Sequence, residues 1–141
     1  EIILRFSKSI TEQKINIDYQ YHYKEPFKVD KYYCDLILEN LISNAIKYSP
    51  KGSKIKLAIN QEGKGISFSI CDEGIGIKES EQLKIFDSFY RSDTIAHNTI
   101  KGNGLGLAIA RKAADSIDAQ LDVASQLGQG ACFKLVFPKI S

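Results

Sequence analysis

Asn40, Asn44, Lys47 and Tyr48 are spaced so that an α-helix stacks them in one stripe, because each residue turns the helix by about 100°. Two carboxamides and an ammonium on one face suit a metal-bound polyphosphate. An Asn carbonyl oxygen is a hard ligand for Mg²⁺, and a Lys is a point charge for phosphate oxygens. The same stripe also suits a plain solvated face. Leu38, Leu41, Ile42 and Ala45 form the adjoining apolar stripe, which fits a helix packed on a sheet.

A second element is Asp72-Glu73-Gly74-Ile75-Gly76-Ile77, directly after a strand-like run. An aspartate at a strand exit can accept a hydrogen bond from an exocyclic amine, and glycines beside it let a flat ring approach the backbone. A tight turn with no ligand would use the same residues. A third element, Lys101-Gly102-Asn103-Gly104-Leu105-Gly106, opens a helical run. Glycines there leave bare N–H groups at the positive end of the helix dipole, an anion site or else a flexible joint. No GKS or GKT follows, so it is not a P-loop. Between the last two elements lies Phe86-Asp87-Ser88-Phe89-Tyr90-Arg91. Phe86 and Phe89 are expected to anchor the core. The polar stretch after them could close over a ligand, with Arg91 and Lys101 at its ends.

These segments need elements to hold them. Ile2, Ile3, Phe6 and Ile10 predict a short amphipathic helix, and Ile15, Ile17, Tyr19 and Tyr21 a strand. Phe27 and Val29 are candidates for a further short strand. Asp30 is a plausible N-cap for a helix from about Lys31 to Tyr48, ended by Pro50 and Gly52. Ile55, Leu57, Ile59 and Ile66, Phe68, Ile70 predict a hairpin across Gly63 and Gly65. Glu79 to Phe86 reads as a short helix, and Gly106 to about Ile117 as another. Leu121 and Val123, then Phe133, Leu135 and Phe137, predict a last hairpin turning at Gly128-Gln129-Gly130. The expected fold is α/β (α+β): a two-layer sandwich with a mixed, mostly antiparallel sheet of about five strands and about three helices on one face.

The 141 residues fit one domain, residues 1–141, able to bury roughly two thirds of its unfolded surface. A net charge of +2 is too small to argue for nucleic acid or an anionic membrane as partner, and neither is expected. No apolar run reaches the roughly 20 residues that span a bilayer. The missing initiator Met points to a piece of a longer protein. Cys34, Cys71 and Cys132 lack metal-ligand spacing and are expected to be three reduced thiols.

In this order and spacing, the four elements resemble the N, G1, F and G2 boxes of the ATP-binding catalytic domain of sensor histidine kinases. Gly128-Gln129-Gly130-Ala131 with Phe133 resembles the G3 element. The likeness runs from about Ile15 to Pro138. It implies the Bergerat-type fold shared with DNA gyrase, a heat-shock chaperone and the mismatch-repair ATPases, with residues 1–14 as linker and first helix and 87–102 as an ATP lid. It also implies residue roles. Asp72 accepts the adenine amine, with Gly74, Gly76 and Ile77 around the ring. Asn44 coordinates Mg²⁺, supported by Asn40. Lys47 and Tyr48 reach phosphates or ribose. Gly102, Gly104, Leu105 and Gly106 wrap the β- and γ-phosphates, and Arg91 and Lys101 close the lid. Asn44, Lys47 and Lys101 would be the catalytic set.

The likeness further implies ATP and Mg²⁺ as ligands, and a phosphoacceptor histidine domain and a response regulator as partners. It implies a cytoplasmic domain of a membrane-anchored bacterial sensor kinase, itself without membrane contact. Two departures stand out. Asp118-Ala119 replaces the family's Gly-Gly pair, which puts that turn in question. No acceptor-histidine signature is present: His22 precedes Tyr23, and His97 falls in the lid. Relatives that hydrolyse ATP carry a Glu four residues before the metal-binding Asn. Here that residue is Asn40, which cannot act as a general base. Hydrolysing and serine-kinase relatives, and a docking module without catalysis, are the competing readings.

Overall fold

The Asp30 carboxylate accepts a hydrogen bond from the Tyr33 N–H at 3.1 Å and so caps α2, Lys31–Tyr48. Such a cap stabilises a helix by about 1 kcal/mol. The helix stops where Ser49 turns extended ahead of Pro50; the Ser49 hydroxyl donates back to the Ala45 carbonyl at 2.6 Å. The computed structural model describes residues 2–23, 28–82, 84–87, 106–125 and 128–137.

Five strands form one sheet: β1 (Asn16–Tyr21), β2 (Lys54–Glu62), β3 (Gly65–Cys71), β4 (Gln120–Ser125) and β5 (Ala131–Phe137). Their spatial order is β1-β2-β3-β5-β4. β1 and β2 run parallel because α2 is the crossover between them; the other pairs are antiparallel. The alternation read from the sequence becomes two faces. Ile55, Leu57, Ile66, Ile70, Leu121, Phe133 and Leu135 are buried on one side, against Ile37, Leu41, Ile42, Ala45 and Ile46 of α2. The third helix of the order, α3 (Gly106–Ser116), joins this layer through Ala110, Ala113 and Ala114. Those small side chains let it lie close against α2. Lys54, Lys56, Gln120, Asp122 and Lys134 are exposed, on the opposite face.

The expected fold class holds, and four local expectations change. The N-terminal helix is a 3₁₀ turn at Ile2–Phe6 followed by α1, Ser7–Glu12. Val29 lies in no strand, and Phe27 is outside the described residues. Two 3₁₀ turns, Glu79–Glu81 and Lys84–Phe86, stand where one helix was expected. A segment this short gains too few hydrogen bonds to repay helix nucleation, and Gln82 instead bonds neighbouring backbone.

The cysteine expectation is corrected too. Cys71 and Cys132 are cross-strand partners with Cα atoms 4.0 Å apart, and they form a disulfide; only Cys34 is free. The Asp118-Ala119 turn is sound. Asp118 adopts φ 55°, a left-handed conformation that Asp tolerates better than most residues, and the Ala119 N–H closes on the Ala114 carbonyl at 2.9 Å.

Candidate functional site

The site grows from the C-terminal half of α2. Asn40, Asn44 and Tyr48 are half-buried and Lys47 is exposed, as expected for a stripe bordering the core. The Asn40 side-chain nitrogen donates to the Leu36 carbonyl at 2.7 Å, which fixes the amide's orientation. Its other end, Oδ1, faces the start of α3: a Cβ on Gly106 would stand 3.1 Å from it. Gly106 is thus the point where the glycine-opened helix meets the carboxamide stripe.

The loop after β3 docks on the same helix. A Cβ on Gly74 would overlap the Tyr48 backbone carbonyl, so only glycine permits this approach. At the loop's root, Asp72 is 8% exposed. Its Oδ1 accepts from the Gly74 N–H at 2.8 Å and the Ala131 N–H at 3.3 Å. Burial pushes the carboxyl pKa above its ordinary value, and these two hydrogen bonds oppose the shift. Both donors reach the same oxygen. Among the described residues, Oδ2 receives no hydrogen bond.

The β4–β5 turn moulds the rest of this loop. The Ile75 carbonyl accepts from the Gly128 N–H at 2.6 Å. The Ile77 N–H donates to Ser125 Oγ at 2.8 Å, and that hydroxyl donates on to the Gly130 carbonyl at 2.7 Å. Gln82 Nε2 donates to the carbonyls of Ser125 and Ile77, at 2.8 and 3.2 Å. Gly130 has φ 85°, and a Cβ there would run into the Asp72 carbonyl. Ser125, Gly130, Ala131 and Gln82 were not singled out as site residues from the sequence. The GxG turn was the available signal for Gly130; nothing local marked Ser125 or Gln82.

The structure therefore seats Gly74, beside Asp72, on the Tyr48 carbonyl and brings Gly106 to Asn40; Asn44 and Lys47 lie on the same helix as Asn40 and Tyr48, and Gly76 and Ile77 on the same loop as Gly74. Arg91, Lys101, Gly102, Gly104 and Leu105 lie outside the described residues, as do Phe89 and lid positions 88–102. Phe86 is the anchor expected of it. It meets Phe133 edge-on at 6.2 Å, and the Arg111 guanidinium of α3 lies 4.8 Å from its ring centre. A cavity of about 270 Å³ opens toward the other end of α2, lined by Cys34, Leu38, Ile42, Phe68 and Leu135 among others; it contains none of the predicted site residues.

Residues 30–141 match the family of histidine kinase-, DNA gyrase B- and HSP90-like ATPases. The chain belongs to this family. It is 39% identical to the sensor-like histidine kinase SenX3 of Mycobacterium tuberculosis over 103 residues, 73% of this chain and 25% of that protein. It is 39% identical to the histidine protein kinase SaeS of Staphylococcus epidermidis over 126 residues, 88% of this chain and 34% of that protein. The fold matches full-length ShkA, solved with AMPPNP, with a TM-score of 0.84 and 27% identity over 99% of this chain and 29% of that one. The chain thus spans about a quarter to a third of these proteins. Among the described residues, no helix is long and apolar enough to cross a membrane, and no group of three His, Cys, Asp or Glu side chains could hold a metal.

Proposed function

We propose that this domain binds Mg-ATP and donates the γ-phosphoryl group to a histidine on a separate dimerisation and phosphoacceptor domain of the full-length protein. A response regulator would then receive the group. The observation that carries this reading is the carboxylate of Asp72, with Oδ1 pinned by two backbone donors and no hydrogen bond to Oδ2 among the described residues, beneath a loop seated on the carboxamide helix. An acceptor held this way suits the adenine amine. The ring would lie against Gly74, Gly76 and Ile77.

Asn44 would offer its carbonyl oxygen to Mg²⁺, with Asn40 beside it. This suits a cation that keeps water and phosphate oxygens as most of its ligands. Mg²⁺, when bound, neutralises phosphate charge as the γ-phosphoryl group leaves. Lys47 and Tyr48 would hold phosphate or ribose oxygens. The N–H groups from Gly102 to Gly106 and the cations of Arg91 and Lys101 would complete the enclosure. Catalysis by such a domain is positioning and charge neutralisation, with the nucleophile supplied by the partner histidine.

Hydrolysis fits less well. The Asn40 amide is tied to Leu36, and Glu39 is paired with Arg5. Neither is placed as a base for water. The parent protein is read as a bacterial sensor kinase anchored in a membrane, with this domain in the cytoplasm.

The test restores the histidine-bearing helices and supplies γ-labelled ATP. Acid-labile, base-stable label on the histidine is expected, with little phosphate release by the domain alone. Fast hydrolysis by the lone domain, or no label on histidine, would overturn the assignment.

A further inference from the structure

The Cys71–Cys132 bridge lies beside the base-binding carboxylate, not in the core. Cys71 directly precedes Asp72, and Cys132 directly follows Ala131, whose N–H reaches Asp72 Oδ1. The β3–β5 register ends with the pair Cys71–Cys132; one step further, the Asp72 N–H still bonds the Ala131 carbonyl at 2.9 Å. The bridge therefore staples the end of the ladder at the point from which Asp72 is aimed. Neither cysteine belongs to the buried cluster, and both are partly exposed. They share a sheet face with the exposed Lys56, the register partner of Cys71, which places a cation in the row beside a thiolate.

We infer that Cys71 and Cys132 are a reversible thiol–disulfide modification site whose state sets the affinity of the adjoining nucleotide site. Its substrates are small disulfides and dithiols. Closing proceeds by two exchanges. One cysteine thiolate attacks a small disulfide, forming a mixed disulfide and releasing one small thiolate. The second cysteine thiolate then attacks the protein sulfur of that mixed bond and releases the other. Two electrons pass from the cysteine pair to the small disulfide, and the two cysteine protons end on the released thiols. A dithiol reverses both steps and is itself oxidised to its cyclic disulfide. A partly exposed bridge in a reducing compartment is of the transient, regulatory kind.

Opening the bridge frees the end of the ladder. The Ala131 N–H, already at 3.3 Å, then separates from Asp72, and the carboxylate loses part of its aim. The closed form is the tight-binding state. The inference depends on Asp72 being the adenine acceptor.

The test is ATP calorimetry on the purified chain equilibrated with glutathione disulfide or with dithiothreitol, with thiol counting in parallel. The expected counts are one free thiol after oxidation and three after reduction. Reduction is expected to weaken ATP binding about five-fold, the worth of one ordinary hydrogen bond, and reoxidation to restore it. Hydrogen exchange at the Ala131 amide should accelerate in the reduced form. Cys34→Ser should keep the response, whereas Cys71→Ser and Cys132→Ser should bind at the reduced level in either buffer. If a serine variant fails to fold, the wild-type titration alone decides. Equal affinity in both states, or a pair that does not exchange in the folded chain, overturns the redox inference and leaves ATP binding intact. Binding in neither state overturns the nucleotide assignment instead.

Discussion

Gly74 and Tyr48 are in backbone contact, with no room between them for even a methyl group. The last turn of α2 and the loop that follows β3 are therefore one unit. Moving either displaces the other. Gly74→Ala should lift the loop from the helix, lowering stability by about 1–3 kcal/mol, the usual cost of overpacking. ATP affinity should fall by more than that loss of folded protein explains. Denaturant unfolding and calorimetry on the same preparation separate the two effects. An unchanged affinity would mean that the contact does not shape the site.

Asp72 ties function to a stability cost. Its carboxyl is raised above the ordinary 3.8, chiefly by burial. Protonation would put a hydrogen on Oδ2, the oxygen that the two backbone donors leave aside, and block acceptance from an amine. ATP affinity should therefore decline on acidification through a pKa higher than that of a free aspartate. For stability the sign is opposite: the folded state holds this proton more tightly, so the cost of the buried charge is absent below the ordinary pKa and fully present above the raised one. Asp72→Asn should lose ATP binding yet melt higher at neutral pH, with the gain shrinking as pH falls through that window. Melting curves across pH read this directly, and a lower melting point at pH 7 would contradict it.

Asn44→Ala tests the metal role. Affinity for ATP with Mg²⁺ should drop at least about ten-fold, a difference of about 1.4 kcal/mol. Affinity without Mg²⁺ should change little. Equal losses under both conditions would assign Asn44 to the nucleotide itself.

Ser125 separates positioning from contact. Its hydroxyl takes the Ile77 N–H and gives to the Gly130 carbonyl, both within the frame of the loop after β3 proposed to hold the base. Ser125→Ala should weaken AMP, ADP and ATP equally, by about 1 kcal/mol per hydrogen bond lost, and Ser125→Thr should recover most of it. A loss confined to ATP would place the effect at the phosphates.

The elements were legible where periodicity is strong. Helix α2 begins after Asp30 and ends at Tyr48 as its cap and proline foretell, and both hairpins follow from alternating apolar residues. The carboxamide stripe was legible for the same reason, since helix geometry alone places it. What escaped notice depends on tertiary register. Cys71 and Cys132 are separated by 61 positions and meet only because β3 and β5 pair in one frame. Ser125 meets Ile77 across 48 positions, and no local pattern marks a strand-end serine as its acceptor. Asp118 went unread for a different reason: a left-handed aspartate does the work of glycine, and identity alone does not show it.

The hydrogen bonds that Ser125 accepts and that Gly128 and Ala131 donate make the loop after β3 a cast of the β4–β5 turn. If that loop holds the base as proposed, drift in the turn, even when it resembles neutral surface variation, would retune which purine the domain prefers. Libraries built to change nucleotide preference should therefore diversify the β4–β5 connection as fully as the pocket wall.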